Sequence, residues 1–225
     1  MDTRITFSLP PGALQIGLIE ADGVRVLPSQ SSYLQQIAEE IAPILQDDWV
    51  YPDCMQKGIR SLLKAYGFHP SGRNRPASEF LVKDLQARGS FNPINNVVDI
   101  NNHLSLVSHL PISILDRAKT GDSLQIRVGM EGESYVFNRE GHELSLRDLL
   151  IVACGEGSMA PFGSPVKDSQ ATKVFEETSR LVGVIYSSVT LSPPDALAAL
   201  LRRFASFLSA EASAKRVEWK IIDPW

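Results

Sequence analysis

An α/β protein is the fold class that the sequence predicts, and three observations predict it. Length and composition come first. At 225 residues, 44% hydrophobic and 21% charged, the chain suits one globular domain, or a core domain with small terminal additions, long enough to bury a real core. Second, apolar residues recur at helical spacing, as in Leu34, Ile37 and Ile41 and again in Leu197, Leu200, Leu201 and Phe204. Third, β-branched runs such as Val182 to Tyr186 have the character of buried strands.

Taken in order, Leu14 to Leu27 alternates loosely around Asp22-Gly23, a dipeptide favoured in tight turns, which predicts a hairpin of two short strands. A helix follows from Ser32, shortened or kinked at Pro43. Met55 to Ala65 fits a second helix with Gly67 as its stop. His69 to Pro76 reads as a loop, and Phe80, Leu81, Leu85 and Arg88 mark a third helix ended by Gly89. Asn92-Pro93 turns the chain into a helix over Val97 to Leu106, and Pro111 closes the connection after it. Strands are expected at Ile112 to Leu115, Leu124 to Val128, Ser134 to Phe137, Leu149 to Ala153 and Val182 to Tyr186. Ser192, Pro193 and Asp195 make a strong helix start, and Val217 to Ile222 fits a last strand.

Several function classes are disfavoured. No apolar run approaches the roughly 18 residues that cross a bilayer, and the first residues lack a basic segment followed by an apolar one, so a cytoplasmic location without membrane contact is expected. Cys54 and Cys154 are far apart and lack ligand-type neighbours, which predicts buried free thiols, with no disulfide framework and no zinc site. His103 and His109 fall on different sides of a helix, His69 and His142 in loops, and no metal or other cofactor is expected. Gly155-Glu156-Gly157-Ser158 lacks the Gly-Lys-Ser/Thr of a phosphate loop and reads as a flexible connection. The net charge of −4 hides an asymmetry. Lys57, Arg60, Lys64, Arg73, Arg75, Lys83 and Arg88 face only Glu79 and Asp84, a net +5, which leaves −9 for the remainder. That stretch is either a surface for RNA phosphates or the solvated face of two helices.

The run Phe91 to Asp116, FNPINNVVDINNHLSLVSHLPISILD, resembles the B3/B4 editing module of the phenylalanyl-tRNA synthetase β subunit. There a segment N-x-V-V-D-x-T-N leads into a helix and then P-L-H-A-F-D. The matching residues are Asn96, Val97, Val98, Asp99, Asn101 and Asn102, then Pro111 to Asp116. The likeness continues through Thr120 to Val128, Leu149 to Ala153 and Gly163 to Ser187, covering most of residues 55–190, and GSPVKDSQATKVFEET looks like freestanding relatives of the module. It implies a fold of the α+β type with a central mixed or antiparallel sheet flanked by helices. The whole of 1–225 would form one such unit, with 1–54 and 191–225 as flanking elements.

The resemblance also implies a function, hydrolysis in trans of amino acids wrongly attached to tRNA, with no part of a ligase site. Tyrosine on the tRNA for phenylalanine is the family's substrate. Two departures bear on chemistry: the family's histidine is matched by Ser113, and a pocket glutamate by Val184, neither of which titrates near neutral pH. A third replaces the glycine-rich V-M-G-G by Val166, Lys167, Asp168 and Ser169, which favours a polar ligand. Pocket candidates are therefore Asn101, Asn102, Ser113, Lys167, Asp168, Ser169, Thr172 and Lys173, with Asp168 suited to an α-amino group and Lys167 to a carboxylate or phosphate. A serine activated by Lys167 as nucleophile is a sharper variant without a G-x-S-x-G context. Arg60, Lys64, Arg73, Arg75 and Lys83 are the candidates for contact with tRNA, and R-P-x-S-E, here Arg75 to Glu79, recurs in freestanding relatives. The alternative is a noncatalytic binding module for a free amino acid or similar small polar metabolite.

Overall fold

The computed structural model describes residues 1–72, 74–157 and 159–223. In chain order the elements are β1 (Arg4–Ser8), β2 (Gln15–Asp22), α1 (Ser31–Ile41), α2 (Asp53–Ala65), α3 (Ala77–Arg88), α4 (Asn96–Ser108) and β3 (Ile112–Asp116). There follow a short helical turn α5 (Arg117–Thr120), β4 (Ser123–Val128), β5 (Ser134–Val136), β6 (Glu143–Ser145), β7 (Leu150–Cys154), β8 (Pro161–Gly163), β9 (Arg180–Ser187), α6 (Pro194–Glu211) and β10 (Arg216–Ile222). Single 3₁₀ turns extend α1 over Ala42–Leu45 and lie at Gln170–Thr172.

Two four-stranded sheets stack under a layer of helices. The central sheet runs β10-β2-β9-β3 and all its pairings are antiparallel. Alternate residues on β2 and β9 supply both of its faces. Ile19, Leu181 and Ile185 turn to the helices, where they meet Tyr33, Ile100, Leu104, Leu201 and Phe204. Ile16, Leu18, Val182, Val184 and Tyr186 turn to the second sheet. Both strands are consequently buried almost end to end, which is why Val182 to Tyr186 reads as an apolar run without alternation. Gly183 and Gly17 mark close approaches in this sheet: a Cβ at Gly183 would lie 2.7 Å from Ile19 of the neighbouring β2 and 3.5 Å from Phe204 of α6, and one at Gly17 would lie 3.2 Å from Leu197 of α6. The second sheet, β1-β4-β7-β8, is mixed, since β1 runs parallel to β4 while the other pairs are antiparallel. A small hairpin, β5-β6, packs through Tyr135 and Leu144 on Leu149, Ile151 and Val166. The mixed α/β class with antiparallel and mixed sheets is as expected.

The predicted hairpin at Leu14 to Leu27 is corrected. Gly23 does turn the chain, at φ +70°, but Val24 and Val26 run on as buried irregular chain towards the helices. β2 takes β10 and β9 as neighbours, from the far end of the sequence. Cys54 is also corrected: it is exposed at the start of α2, and Cys154 is half-buried. Ser158, in the predicted glycine-rich connection, lies outside the described residues. His103 is sealed in the helix layer between Tyr33 and Glu40, while His109 ends α4 in a left-handed conformation against Trp49 and Tyr51. No helix among the described residues is long and apolar enough to cross a membrane.

Candidate functional site

The motif segment N-N-V-V-D builds the site's scaffold before any chemistry. Asn95 caps α4 by accepting from the Val98 amide. Asn96, buried, accepts from the Leu27 amide and donates to the carbonyls of Arg25 and Glu211. Asp99, also buried, accepts from the Ile94 amide at 2.8 Å and from Ser29 Oγ at 2.6 Å. These bonds fix the loops carrying Leu27 and Ile94 to the first turn of α4. Burial pushes the Asp99 carboxyl up, opposed by those donors.

Between α3, α4, β3 and the loops after β5 and β8 lies a cavity of about 1080 Å³. Asn101, Asn102, Lys167, Asp168, Lys173 and Arg75 line it together. Asn101 reaches it from α4 with a side chain only 6% exposed; its amide nitrogen lies 3.4 Å from the Ile112 carbonyl and from Asn102 Oδ1, and its own Oδ1 has no partner among the described residues. A buried acceptor of that kind is costly unless a ligand or water supplies the donor.

Asp168 stands in a turn, S-P-V-K-D, that Ser164 organises. The Ser164 hydroxyl donates to the Lys167 carbonyl at 2.7 Å and accepts from the Lys167 amide, while the Ser164 amide donates to Asp168 Oδ1. Ser113 also donates to Oδ1, at 2.6 Å, and lies 3.0 Å from the Tyr186 hydroxyl. Both of these bonds end on Oδ1, and the Ile114 amide is a further donor to the same carboxyl. Burial pushes the Asp168 carboxyl up to about 7, against the lowering pull of Ser113, the Ser164 amide and Lys173. Burial also lowers the Lys173 ammonium, with Asp168 opposing; Lys173 donates to the Phe137 carbonyl at 2.6 Å. The Lys167 ammonium sits 4.1 Å from the centre of the Phe137 ring.

The remaining candidates are placed elsewhere. Ser113 is wholly buried behind Asp168, opposite Val184, itself fully buried in the β3-β9 pair. Ser169 caps the 3₁₀ turn through the Ala171 amide, and Thr172 donates to the Phe162 carbonyl, so neither lines the cavity. Arg60 is tied to Glu79 by two hydrogen bonds of 2.7 and 2.6 Å, while Lys64 and Lys83 are exposed on α2 and α3. Arg75 lines the cavity mouth, its Nε donating to the Gly72 carbonyl, and Arg73 lies outside the described residues. Sequence reasoning missed Ser164, Tyr186, Phe137, Arg139 and Phe175. Tyr186 was legible only as one residue of an apolar strand, Ser164 and Phe175 stood in the GSPVKDSQATKVFEET stretch without being singled out, and Phe137 and Arg139 carried no motif.

The chain belongs to the B3/4 domain family, whose model matches residues 67–190. Relatives fall in one group. The chain is 32% identical over 142 residues, 62% of its length, to the phenylalanine–tRNA ligase β subunit of Gloeobacter violaceus. It is 29% identical over 111 residues, 49% of its length, to that of Bartonella henselae. It spans only 17% and 13% of those two proteins. A crystal structure of an N-terminal fragment of the phenylalanyl-tRNA synthetase β subunit from Pyrococcus horikoshii aligns with 96% of this chain and 50% of its own, at 11% identity and a TM-score of 0.44.

Proposed function

We propose that the chain acts as one freestanding editing-like unit that hydrolyses the ester of mischarged aminoacyl-tRNA in trans, in the cavity between α4 and the Ser164–Asp168 turn. The observation that carries this reading is the pairing, in one cavity, of a carboxyl held near pKa 7 with an unpartnered buried amide oxygen on Asn101. A general base is most effective when its pKa lies near the working pH. The Asp168 carboxylate takes a proton from water as the water oxygen attacks the ester carbonyl carbon. Asn101 Oδ1 accepts from the substrate's α-ammonium, and the Asn102 amide with Lys173 donates to the carbonyl oxygen as charge develops on it. The bond from that carbon to the ribose oxygen then breaks, the ribose oxygen regains a proton from Asp168, and free amino acid and uncharged tRNA leave. Lys167, held over Phe137, closes one wall and adds positive charge. In this scheme Ser113 positions Asp168 and is no nucleophile, because it is fully buried and already donates to the carboxylate.

A second reading is favoured by one specific observation. Ser113 and Val184, opposite one another, leave the cavity without the family's histidine and glutamate, which suits a noncatalytic receptor for a free amino acid or similar small polar metabolite. The two are separated by release of amino acid from a panel of correctly and incorrectly charged tRNAs, including tyrosine on the phenylalanine tRNA, by the wild type and by Lys167→Ala/Asp168→Ala. Selective release lost in the variant supports the hydrolase. Release no faster than background from every tRNA, alongside thermal stabilisation by a free amino acid that Asp168→Ala abolishes, supports the receptor.

A further inference from the structure

At the mouth of the cavity three large apolar side chains from three separate segments stand open to solvent: Leu27 at 57% exposure, Phe80 at 51% and Ile94 at 61%. Exposed apolar residues scattered singly need no explanation, but these share one rim. Their positions are also held with unusual expense. Two buried polar side chains, Asn96 and Asp99, spend hydrogen bonds on the Leu27 and Ile94 amides, and the Asn96 amide returns a bond to the Leu27 carbonyl at 2.8 Å. Phe80 is carried on the first turns of α3, whose start is pinned to the opposite wall by the Ala77 amide donating to the Pro165 carbonyl, and Arg75 lies just ahead of it at the same mouth.

Chemistry says what such a rim would meet, on the reading that the cavity holds an aminoacyl ester. The ester oxygen belongs to the ribose of a terminal nucleotide. A base therefore follows the aminoacyl group to the mouth at the distance of one sugar, and a phosphate follows the base. An unpaired base offers an apolar face to an aromatic ring, whatever its identity, and guanidinium groups suit the adjoining phosphate. We propose that Leu27, Phe80 and Ile94 form the docking platform for the unpaired terminal base of the charged strand, with Arg75 beside it for the phosphate that follows. The platform supplies affinity independent of the amino acid, and the Asn101 and Asp168 end supplies recognition of the aminoacyl group.

The test compares two sets of unreactive probes by calorimetric titration: 3′-amino-3′-deoxyadenosine acylated with alanine, serine or tyrosine, and the N-methylamides of the same amino acids, which lack sugar and base. The account expects at least one adenosine probe to bind the wild type about 5- to 100-fold more tightly than its methylamide. Phe80→Ala should remove most of that advantage while leaving methylamide affinity within twofold, and Phe80→Trp should restore it. Phe80 is half exposed, so an unchanged melting temperature serves as the control for folding. Equal affinity of both probe types for the wild type overturns the platform alone, provided methylamide binding is lost in Asn101→Ala. Equal weakening of both types by Phe80→Ala also overturns it. Failure of every probe to bind overturns the aminoacyl reading of the cavity and the platform with it.

Discussion

Asp168 is a carboxyl that folding makes harder to ionise, which bears on stability beside the catalytic role proposed for it. Its folded pKa of about 7 lies above the ordinary carboxylate value, so between roughly pH 4 and 7 the folded state holds a proton that the unfolded state has lost. Stability from this group is complete below that window and falls as pH rises through it. Asp168→Asn keeps an oxygen for the Ser113 and Ser164 donors but cannot ionise. The variant is expected to gain on the wild type by on the order of 3 kcal/mol as pH rises from 4 to 8, read from denaturant unfolding at each pH. An unchanged difference across that range would contradict the buried, titrating carboxyl. At this scale the motif alignment led to Asn101, Asn102, Lys167, Asp168 and Lys173, all of which line one cavity. It did not lead to Ser164 or Tyr186, whose partners are 4 and 73 residues away from them respectively and are joined only by the folded chain.

At the scale of elements, the R-P-x-S-E stretch is a strut. Arg75 reaches the cavity, Ala77 bonds to Pro165, Ser78 is buried under the Tyr51 hydroxyl, and Glu79, itself buried, receives both hydrogen bonds of Arg60 from α2. Removing Arg60 leaves a buried carboxylate without its cation. Arg60→Ala is expected to cost about 2–4 kcal/mol in chemical denaturation, less than a fully buried pair because Arg60 is partly solvated, whereas Lys64→Ala and Lys83→Ala should stay within about 0.5 kcal/mol. A neutral Arg60→Ala would remove the strut from the account. The helices were legible because their apolar spacing and stops are local, and Gly89 does end α3 in the left-handed conformation. β1, β6 and β8 were not. β1 pairs with a strand more than a hundred residues away, β6 and β8 have three residues each, and no turn motif announces any of them. The Asp22-Gly23 turn misled for the converse reason: its local chemistry is that of a hairpin, but the strand beside it is β10, brought in by α6.

For the molecule as a whole, the segment of net +5 is less basic in space than in sequence. Lys57 pairs with Asp53, Arg60 with Glu79 and Arg88 with Asp84, leaving Lys64, Arg75 and Lys83 as its described cations without an ion pair. Binding of tRNA by so few charges on a protein of net charge −4 predicts a shallow salt dependence, about two to four phosphates' worth, reduced by about one in Arg75→Ala. Filter binding across a salt series reads this directly, and a slope of eight or more would place recognition on another surface. The proposed chemistry resides in the cavity, and its sharpest test is the pH profile of amino-acid release from mischarged tRNA under single turnover. The account predicts a rate that rises to a plateau with a midpoint near 7, a midpoint about one unit higher in Ser113→Ala, which withdraws a hydrogen bond from the carboxylate, and no plateau in Asp168→Asn. A profile in Asp168→Asn identical to that of the wild type would contradict it.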